Sequence, residues 1–215
     1  MHQASALAKT LATIAPASYI GPVARRVGLA ALLAPLTTGS RLTDLEFLYS
    51  SRRRNRFTPS NGPKSLYVGE DEAVGSAEVK RAALLGAFAK TTAEPASVFW
   101  AHAHLPDAVL DLTDPRVLAA LGTTDDEVHH PDWKALGPTS PSEILGNAAF
   151  RSGRFAAIKF WSVRMRAAGQ SGLCLCIFKS RVKAPCSLRF TSSELGWDET
   201  WCRPCLLYTS PSPRD

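Results

Sequence analysis

Hydrophobic and polar positions alternate through the short stretch Ser65-Leu-Tyr-Val-Gly69. Strict alternation is typical of a half-buried strand, and here it puts Leu66 and Val68 on one face and Tyr67 on the other. Asn61-Gly62-Pro63, just upstream, is a turn signal. We therefore predict a turn followed by a strand that buries Leu66 and Val68.

A helical period replaces this alternation after Gly69. Asp71 is suited to cap a helix, which the pattern predicts to run to about Lys90. At about 100° per residue, Glu78 falls in the middle of the apolar stripe of this helix, whose other members are Val74, Ala82, Leu85 and Ala89. A carboxylate there faces the body of the protein, where ionisation is costly unless a cation or a polar cleft receives it. Arg56 is an available cation, so spacing alone leaves open both a structural Arg–Glu pair and a functional carboxylate.

Helices and strands are mixed along the rest of the chain. Helices are predicted over 1–13 and 27–33, within an N-terminal segment (1–40) that Pro16, Pro22 and Pro35 interrupt. Further strands are predicted over 98–104, 108–112, 156–160 and 173–178. A helix is predicted over 115–121, which Asp114-Pro115 opens, and another over 141–153, which begins with a capping box at Ser140-Pro-Ser-Glu143. This order lacks the strict alternation of a parallel doubly wound sheet, so it favours an α+β fold with mixed or antiparallel sheets in one domain.

Composition agrees with one globular domain. The chain has 215 residues, 45% of them hydrophobic, which is enough for a sizeable core. The longest apolar run, 27–36, is too short to cross a bilayer. Five cysteines show no disulfide framework, and Cys174 and Cys176 alternate on a predicted strand as small buried hydrophobes. These features favour the reducing cytoplasm.

Positive charge is clustered, with a formal net charge of +6. One cluster is Arg52-Arg-Arg-Asn-Arg56, and a second comprises Lys159, Arg164, Arg166, Lys179, Arg181 and Lys183. Such clusters bind nucleic acid, the phosphates of a dinucleotide or an acidic partner, or form a solvated surface. Because no helix-turn-helix, zinc-finger or RNP-like pattern accompanies them, direct nucleic-acid binding is disfavoured.

Most familiar catalytic and metal signatures are missing from the sequence. It contains no Walker A loop, GxGxxG fingerprint, HExxH or GxSxG. His102 and His104 share a face of a predicted strand, but spacing suggests no third ligand, so no metal site is expected. His129-His130 lies in a polar stretch and is interpreted as loop.

The last residues, 205–215, resemble one reading frame of a sequencing adapter rather than evolved protein. We expect this tail to be disordered and to contribute nothing to the fold, which makes the Cys202-x-x-Cys205 motif accidental. The domain is then expected to span 41–204.

The central motifs resemble the RES family, which is named for a characteristic Arg, Glu and Ser. The similarity begins with Arg56-Phe-Thr-Pro, followed by Leu66-Tyr-Val-Gly-Glu-Asp and Ala77-Glu78. It continues in Ala156-Ala-Ile-Lys-Phe-Trp-Ser-Val-Arg164, where the family has a strand and then Pro-Ser-x-Arg, and in the hydrophobic strand of 169–178. The resemblance covers about residues 41–200, and the order and spacing of the motifs are more specific than any one of them.

The resemblance implies a specific activity. RES proteins are similar to ADP-ribosyltransferases in fold, and act as toxins that consume NAD by phosphorolysis or hydrolysis at the nicotinamide–ribose bond. An Xre-like antitoxin silences them. No cofactor is implied beyond NAD as substrate, with inorganic phosphate as a candidate co-substrate.

Residue roles follow from the same resemblance. Glu78 is expected to stabilise an oxocarbenium-like transition state, and Arg56 to grip the pyrophosphate or inorganic phosphate. Ser162 is expected to contact the nicotinamide ribose or phosphate. Tyr67 is expected to stack on a ring or to bond a ribose hydroxyl, and Arg164 to help bind NAD. The alternative for Tyr67 is an ordinary aromatic residue of a strand, and the alternative for Ser162 is a turn serine.

Two departures from the family pattern keep other functions open. Arg41 is the best counterpart of a further family arginine that binds NAD, but Arg25 and Arg26 compete with it. Trp161 stands where Pro normally precedes the Ser. The alternatives are a catalytically inactive RES-like interaction module and an ADP-ribosyltransferase that acts on a protein.

Overall fold

The computed structural model describes residues 4–28, 54–79, 96–192 and 197–202. Seven strands lie within these ranges: β1 (Ala17–Gly28), β2 (Ser65–Gly69), β3 (Ala96–Asp111), β4 (Ala157–Trp161), β5 (Leu173–Phe178), β6 (Ser187–Ser192) and β7 (Trp197–Trp201). The α-helices there are α1 (Ala4–Thr13), α2 (Glu72–Val79), α3 (Pro115–Ala120), α4 (Asp125–Val128), α5 (Pro141–Ser152) and α6 (Val163–Ala167), with short 3₁₀ turns at Gly137–Thr139 and Lys179–Arg181. Arg41 and the tail at 205–215 lie outside the described residues.

The strands form one mixed sheet in the order β1-β2-β5-β4-β3-β6-β7. Strand β1 also pairs with β3, so the pairings from β1 through β2, β5, β4 and β3 run in a closed ring. The β3–β4 pair is parallel, and the other pairs between the described strands are antiparallel. The α+β prediction with a mixed sheet is confirmed.

Alternation along the strands divides the hydrophobic side chains between two cores. The first core lies between the strands and includes Leu66 and Val68 of β2. The second core is covered by α1, α3 and α5, and Tyr67 packs against it. Strand β5 alternates in the same way, with Cys174 and Cys176 in the second core. Burial raises the pKa of the Cys176 thiol to about 12, so both cysteines behave as the predicted small hydrophobes.

Several element boundaries follow the capping signals of the sequence. The Asp71 carboxylate accepts a hydrogen bond from the Val74 amide at 2.8 Å at the start of α2. Asp114 caps α3, and Ser140 caps α5, which ends at Gly153 with a φ of 74°. The Glu143 side chain pairs with Arg54, so the predicted capping box is formed only through Ser140. The predicted extension of α2 to about Lys90 falls on residues outside the described ranges.

The N-terminal segment differs from its prediction. Helix α1 is present, but β1 occupies Ala17–Gly28 where the prolines suggested an interruption and where a helix was predicted from Val27. Pro22 is accommodated because β1 meets β2 at Ala24 and is paired at Pro22 on its β3 side, and a strand tolerates proline at such an edge. Tyr19 and Val23 pack towards the first core. The two strands predicted at 98–104 and 108–112 are the single strand β3. No helix among the described residues is long and apolar enough to span a membrane.

Candidate active site

A cleft of about 720 Å³ opens where α2, α6 and the loop at 54–58 meet the ends of β1, β2 and β4. This volume is typical of a small-molecule site. Its charged lining residues are Arg25, Arg56, Glu78, Lys134 and Arg164, and its other lining residues include Asn55, Tyr67, Trp133, Phe160 and Cys174. Among the described residues, four cations therefore surround one carboxylate, which favours an anionic ligand.

Glu78 lies at the C-terminal end of α2, with its side chain 38% exposed towards the cleft. The Ser162 hydroxyl donates to its Oε1 at 2.7 Å, and Arg164 Nε lies 3.7 Å from its Oε2. The sequence left open whether a cation or a polar cleft receives this carboxylate. A polar cleft receives it, with Ser162 and Arg164 as neighbours, which favours the functional interpretation over a buried structural pair.

Ser162 performs two tasks from a fully buried position. Its hydroxyl oxygen accepts a hydrogen bond from the Met165 amide at 3.2 Å, which caps α6, and its O–H donates a hydrogen bond to Glu78. Both bonds fix the hydroxyl direction, so Ser162 orients the carboxylate. The predicted contact between Ser162 and substrate stays a prediction.

Arg56 is held by the backbone of a distant segment. Its Nη1 donates to the carbonyls of Val128 and His130, both at 3.1 Å. The guanidinium also lies 5.7 Å from the centre of the Trp133 ring, within cation–π range. Arg56 therefore lines the cleft from a fixed position.

Tyr67 supports the loop that carries Arg56. Its hydroxyl accepts a hydrogen bond from the Phe57 amide at 3.0 Å, and its ring packs edge-on against Phe160. Burial raises the pKa of Tyr67 well above its ordinary value, so the phenol stays protonated. Tyr67 is among the residues that line the cleft, and its predicted contact with a ligand stays a prediction.

Arg164 reaches the cleft from α6. Its Nη1 donates to the Ala77 carbonyl at 2.8 Å, one residue before Glu78. The side chain thereby ties α6 to the end of α2 and sets a cation beside the carboxylate.

Arg25, which sequence analysis left as one of three competing arginines, lines the cleft from β1. Its Nη1 lies 3.4 Å from the Tyr67 carbonyl, and burial lowers its pKa. The alternation of Tyr19, Val23 and Arg25 indicates a strand, but Gly21-Pro22 between them indicates a break. Arg41 lies outside the described residues, so its role stays a prediction.

Helix α2 packs on β1 without an intervening side chain. A Cβ atom on Gly75 would lie 2.7 Å from the Ala24 carbonyl oxygen, closer than real contacts allow. This close approach fixes α2, with Glu78, against the strand that carries Arg25.

The segment at 131–134 forms a wall that sequence analysis missed. Trp133 is 6% exposed, and the charged groups of Arg54, Arg56 and Lys134 lie 5.2, 5.7 and 5.7 Å from its ring centre. Arg54 also donates to the carbonyls of Lys134 and Gly137. A tryptophan in an otherwise polar stretch was the available signal.

The two histidines considered for metal binding do not form part of the cleft lining. His102 is exposed on β3, and His104 Nδ1 contacts the Pro185 carbonyl at 3.2 Å. Within the described ranges, no group of three or more His, Cys, Asp or Glu side chains could hold a metal ion.

Comparison with known proteins identifies the fold. No family model matches the chain, and no curated protein matches its sequence. The chain is similar to one in the crystal structure of the M. tuberculosis MbcT–MbcA toxin–antitoxin complex, with a TM-score of 0.57, 20% sequence identity and 92% of each chain covered. The chain thus shares its overall α+β fold with a component of that complex.

Proposed function

We propose that this protein is a RES-type toxin that consumes NAD by breaking the bond between nicotinamide and ribose, and that an antitoxin protein neutralises it. The observation that carries the proposal is the Glu78 carboxylate, directed into an arginine-lined cleft by Ser162. The fold shared with a component of a toxin–antitoxin complex supports the same assignment.

The reaction breaks the C–N bond to C1′ of the ribose, and the electron pair leaves with neutral nicotinamide. Positive charge develops on the ribose, as in glycoside cleavage, and a nearby carboxylate stabilises it. Glu78 has the charge and the exposure for this role. An oxygen of hydrogen phosphate or water then bonds to C1′ and releases its proton to solvent, giving ADP-ribose phosphate or ADP-ribose.

The arginines account for binding of the pyrophosphate. Arg25, Arg56 and Arg164 all line the cleft, and planar guanidinium groups suit phosphate oxygens. Arg25 and Arg56 are each anchored to backbone carbonyls, which reduces the entropy lost when a ligand binds. We assign Arg41 and Tyr67 to NAD binding as well, and expect no further cofactor.

The cellular setting follows from the same proposal. NAD is abundant in the cytoplasm, where the chain would act and where an Xre-like antitoxin would bind it. Inorganic phosphate is the candidate co-substrate, and the arginine-lined cleft suits it.

The test is direct. Purified full-length chain is incubated with NAD over a range of phosphate concentrations, and nicotinamide and the ribose product are separated by chromatography. We expect nicotinamide release, with the mass of the second product identifying phosphate or water as acceptor.

Two other outcomes would overturn the proposal. Folded protein that releases no nicotinamide at any phosphate concentration would indicate a non-catalytic interaction module. Transfer of labelled ADP-ribose to an added protein, without free ADP-ribose products, would indicate an ADP-ribosyltransferase.

A further inference from the structure

His129 is a buried histidine next to the cleft that the proposed chemistry does not use. It is 5% exposed, at the end of α4, and its ring stacks on Phe160 at a centroid distance of 6.4 Å. Its Nε2 accepts a hydrogen bond from the Trp161 backbone amide at 3.1 Å, and its Nδ1 lies 3.0 Å from the Asp125 carbonyl oxygen. An acceptor at Nε2 and a donor at Nδ1 define one neutral tautomer.

The neighbours of His129 connect it to the Arg56 side of the cleft and to the Glu78–Ser162 side. The carbonyls on either side of it, from Val128 and His130, are the two that hold Arg56 Nη1. The hydrogen bond that His129 Nε2 accepts comes from the backbone amide of Trp161. Trp161 directly precedes Ser162, the residue that orients Glu78. One imidazole therefore links the segment that anchors Arg56 to the strand end that carries Ser162.

We propose that His129 is a positioning residue that sets the distance between Arg56 and the Glu78–Ser162 pair, and that it does so only while Nε2 is unprotonated. A proton on Nε2 would point at the Trp161 N–H, so the hydrogen bond would become a clash of two donors. The 128–130 segment would separate from β4, and the Arg56 guanidinium would move with it. The consequence for turnover rests on the proposed function.

Three charged side chains act on His129 from the elements packed around it. Asp125 on α4 favours the imidazolium, whereas Arg166 on α6 and Arg56 in the 54–58 loop disfavour it. Burial is the largest influence, and the net result lowers the pKa of His129 below its ordinary value of 6.5. The imidazole is therefore neutral at pH 7, and the link is intact there.

The first experiment compares pH profiles of NAD turnover. In wild type, kcat/KM should fall by about tenfold per pH unit below the pKa of His129, as expected when one proton abolishes activity. The matched variant is His129→Gln, whose amide oxygen can accept at the Nε2 position without titrating. We expect it to retain activity and to lose this acidic decline, whereas His129→Ala should be impaired at every pH.

The second experiment does not depend on activity. In ¹⁵N-labelled protein, the Trp161 amide and the Arg56 side-chain N–H signals should titrate together with the His129 ring. Asp125→Asn, which removes the favourable anion, should move this midpoint to lower pH, and Arg166→Gln should move it to higher pH.

These readouts separate the two proposals. Absence of NAD turnover at every pH refutes the proposed function but leaves the NMR titration to decide the role of His129. The inference is overturned if the Trp161 and Arg56 signals do not shift over the pH range in which the His129 ring titrates. A pH profile of an active His129→Gln variant that matches wild type also overturns it.

Discussion

The proposed function makes Glu78 a functional carboxylate rather than a stabilising one, and its partial exposure to water agrees with that role. Its side chain is 38% exposed, and its contact to Arg164 is 3.7 Å long. Exposed ion pairs of this kind contribute little to stability. The Ser162 bond at 2.7 Å instead fixes its direction, which is the property that transition-state stabilisation requires.

Replacement of Glu78 should therefore separate activity from stability. We expect Glu78→Gln to lower NAD turnover by about a hundredfold, since the negative charge is lost, while the melting temperature stays close to that of wild type. Glu72→Gln, which neutralises an exposed carboxylate on the same helix, is the control and should turn over NAD normally. Unfolding of Glu78→Gln, or normal turnover by it, would remove Glu78 from the mechanism.

Two buried serines offer a second test at this scale. Ser162 and Ser140 are both fully buried helix N-caps, each accepting from the amide three residues later. Replacing either by Ala should cost about 1 kcal/mol of stability. Only Ser162→Ala should also reduce turnover strongly, because it frees the Glu78 carboxylate.

The measurement is a urea unfolding curve beside an NAD assay for both variants. Equal losses of activity would mean that Ser162 acts only as a cap.

At the scale of elements, the loop that carries Arg56 lies directly on α5. A Cβ atom on Gly146 would lie 2.0 Å from the Phe57 carbonyl oxygen. Backbone atoms cannot yield as a flexible side chain can, so glycine is required at this crossing. The position of Arg56 thus depends on a helix outside the cleft.

Gly146→Ala should consequently push the 54–58 loop away from α5. We expect a loss of about 1–3 kcal/mol, typical of overpacking, together with weaker NAD binding because Arg56 is displaced. Asn147→Ala, one residue along the same helix, is the control and should change stability little. Isothermal calorimetry with NAD and urea unfolding check the two effects, and wild-type values for Gly146→Ala would contradict the packing explanation.

Elements with local signals were predictable from sequence, and elements defined by partners were not. The alternation at β2 and the capping residues Asp71 and Ser140 placed their elements correctly because those signals act within a few residues. Strand β1 was missed because Gly21-Pro22 indicates a break, and only its pairing with β3 makes the strand.

The same distinction applies to the cleft. Arg56, Tyr67, Glu78, Ser162 and Arg164 were all predicted from motifs, and the structure brings them together. The contribution of the 125–134 segment arises from contacts to residues far away in sequence, such as Arg56 to Val128. No local pattern could reveal those contacts.

At the scale of the whole molecule, stability should fall in two steps as the solution is acidified. The folded pKa of His129 is lowered from 6.5, so below that pH the unfolded chain binds a proton that the native protein excludes, and stability decreases. Burial raises the pKa of Asp125, but its interactions with Arg166 and His129 outweigh burial and lower the folded pKa below 3.8, so its contribution is lost at still lower pH.

Urea midpoints measured from about pH 8 down to about pH 3 check this sign. His129→Gln should flatten the upper decline only, and Asp125→Asn should reduce the lower one, to which Asp114, Glu127 and Asp198 also contribute because their pKa values are lowered as well. A midpoint that does not change between neutral pH and pH 5 would show that His129 titrates as it does in the unfolded chain.

The pairing of β1 with β3 has a consequence for the order in which the chain folds during synthesis. Ser18 and Asp107, which bond at one end of this pairing, are 89 residues apart. Contacts with such large sequence separation form slowly, because chain entropy is lost before they stabilise anything. Arg25 takes its place only when β1 joins the sheet, so a nascent chain gains its helices before it gains an anion-binding cleft. Under the proposed function, a newly made molecule stays inactive for an interval after translation, and during that interval an antitoxin can bind it.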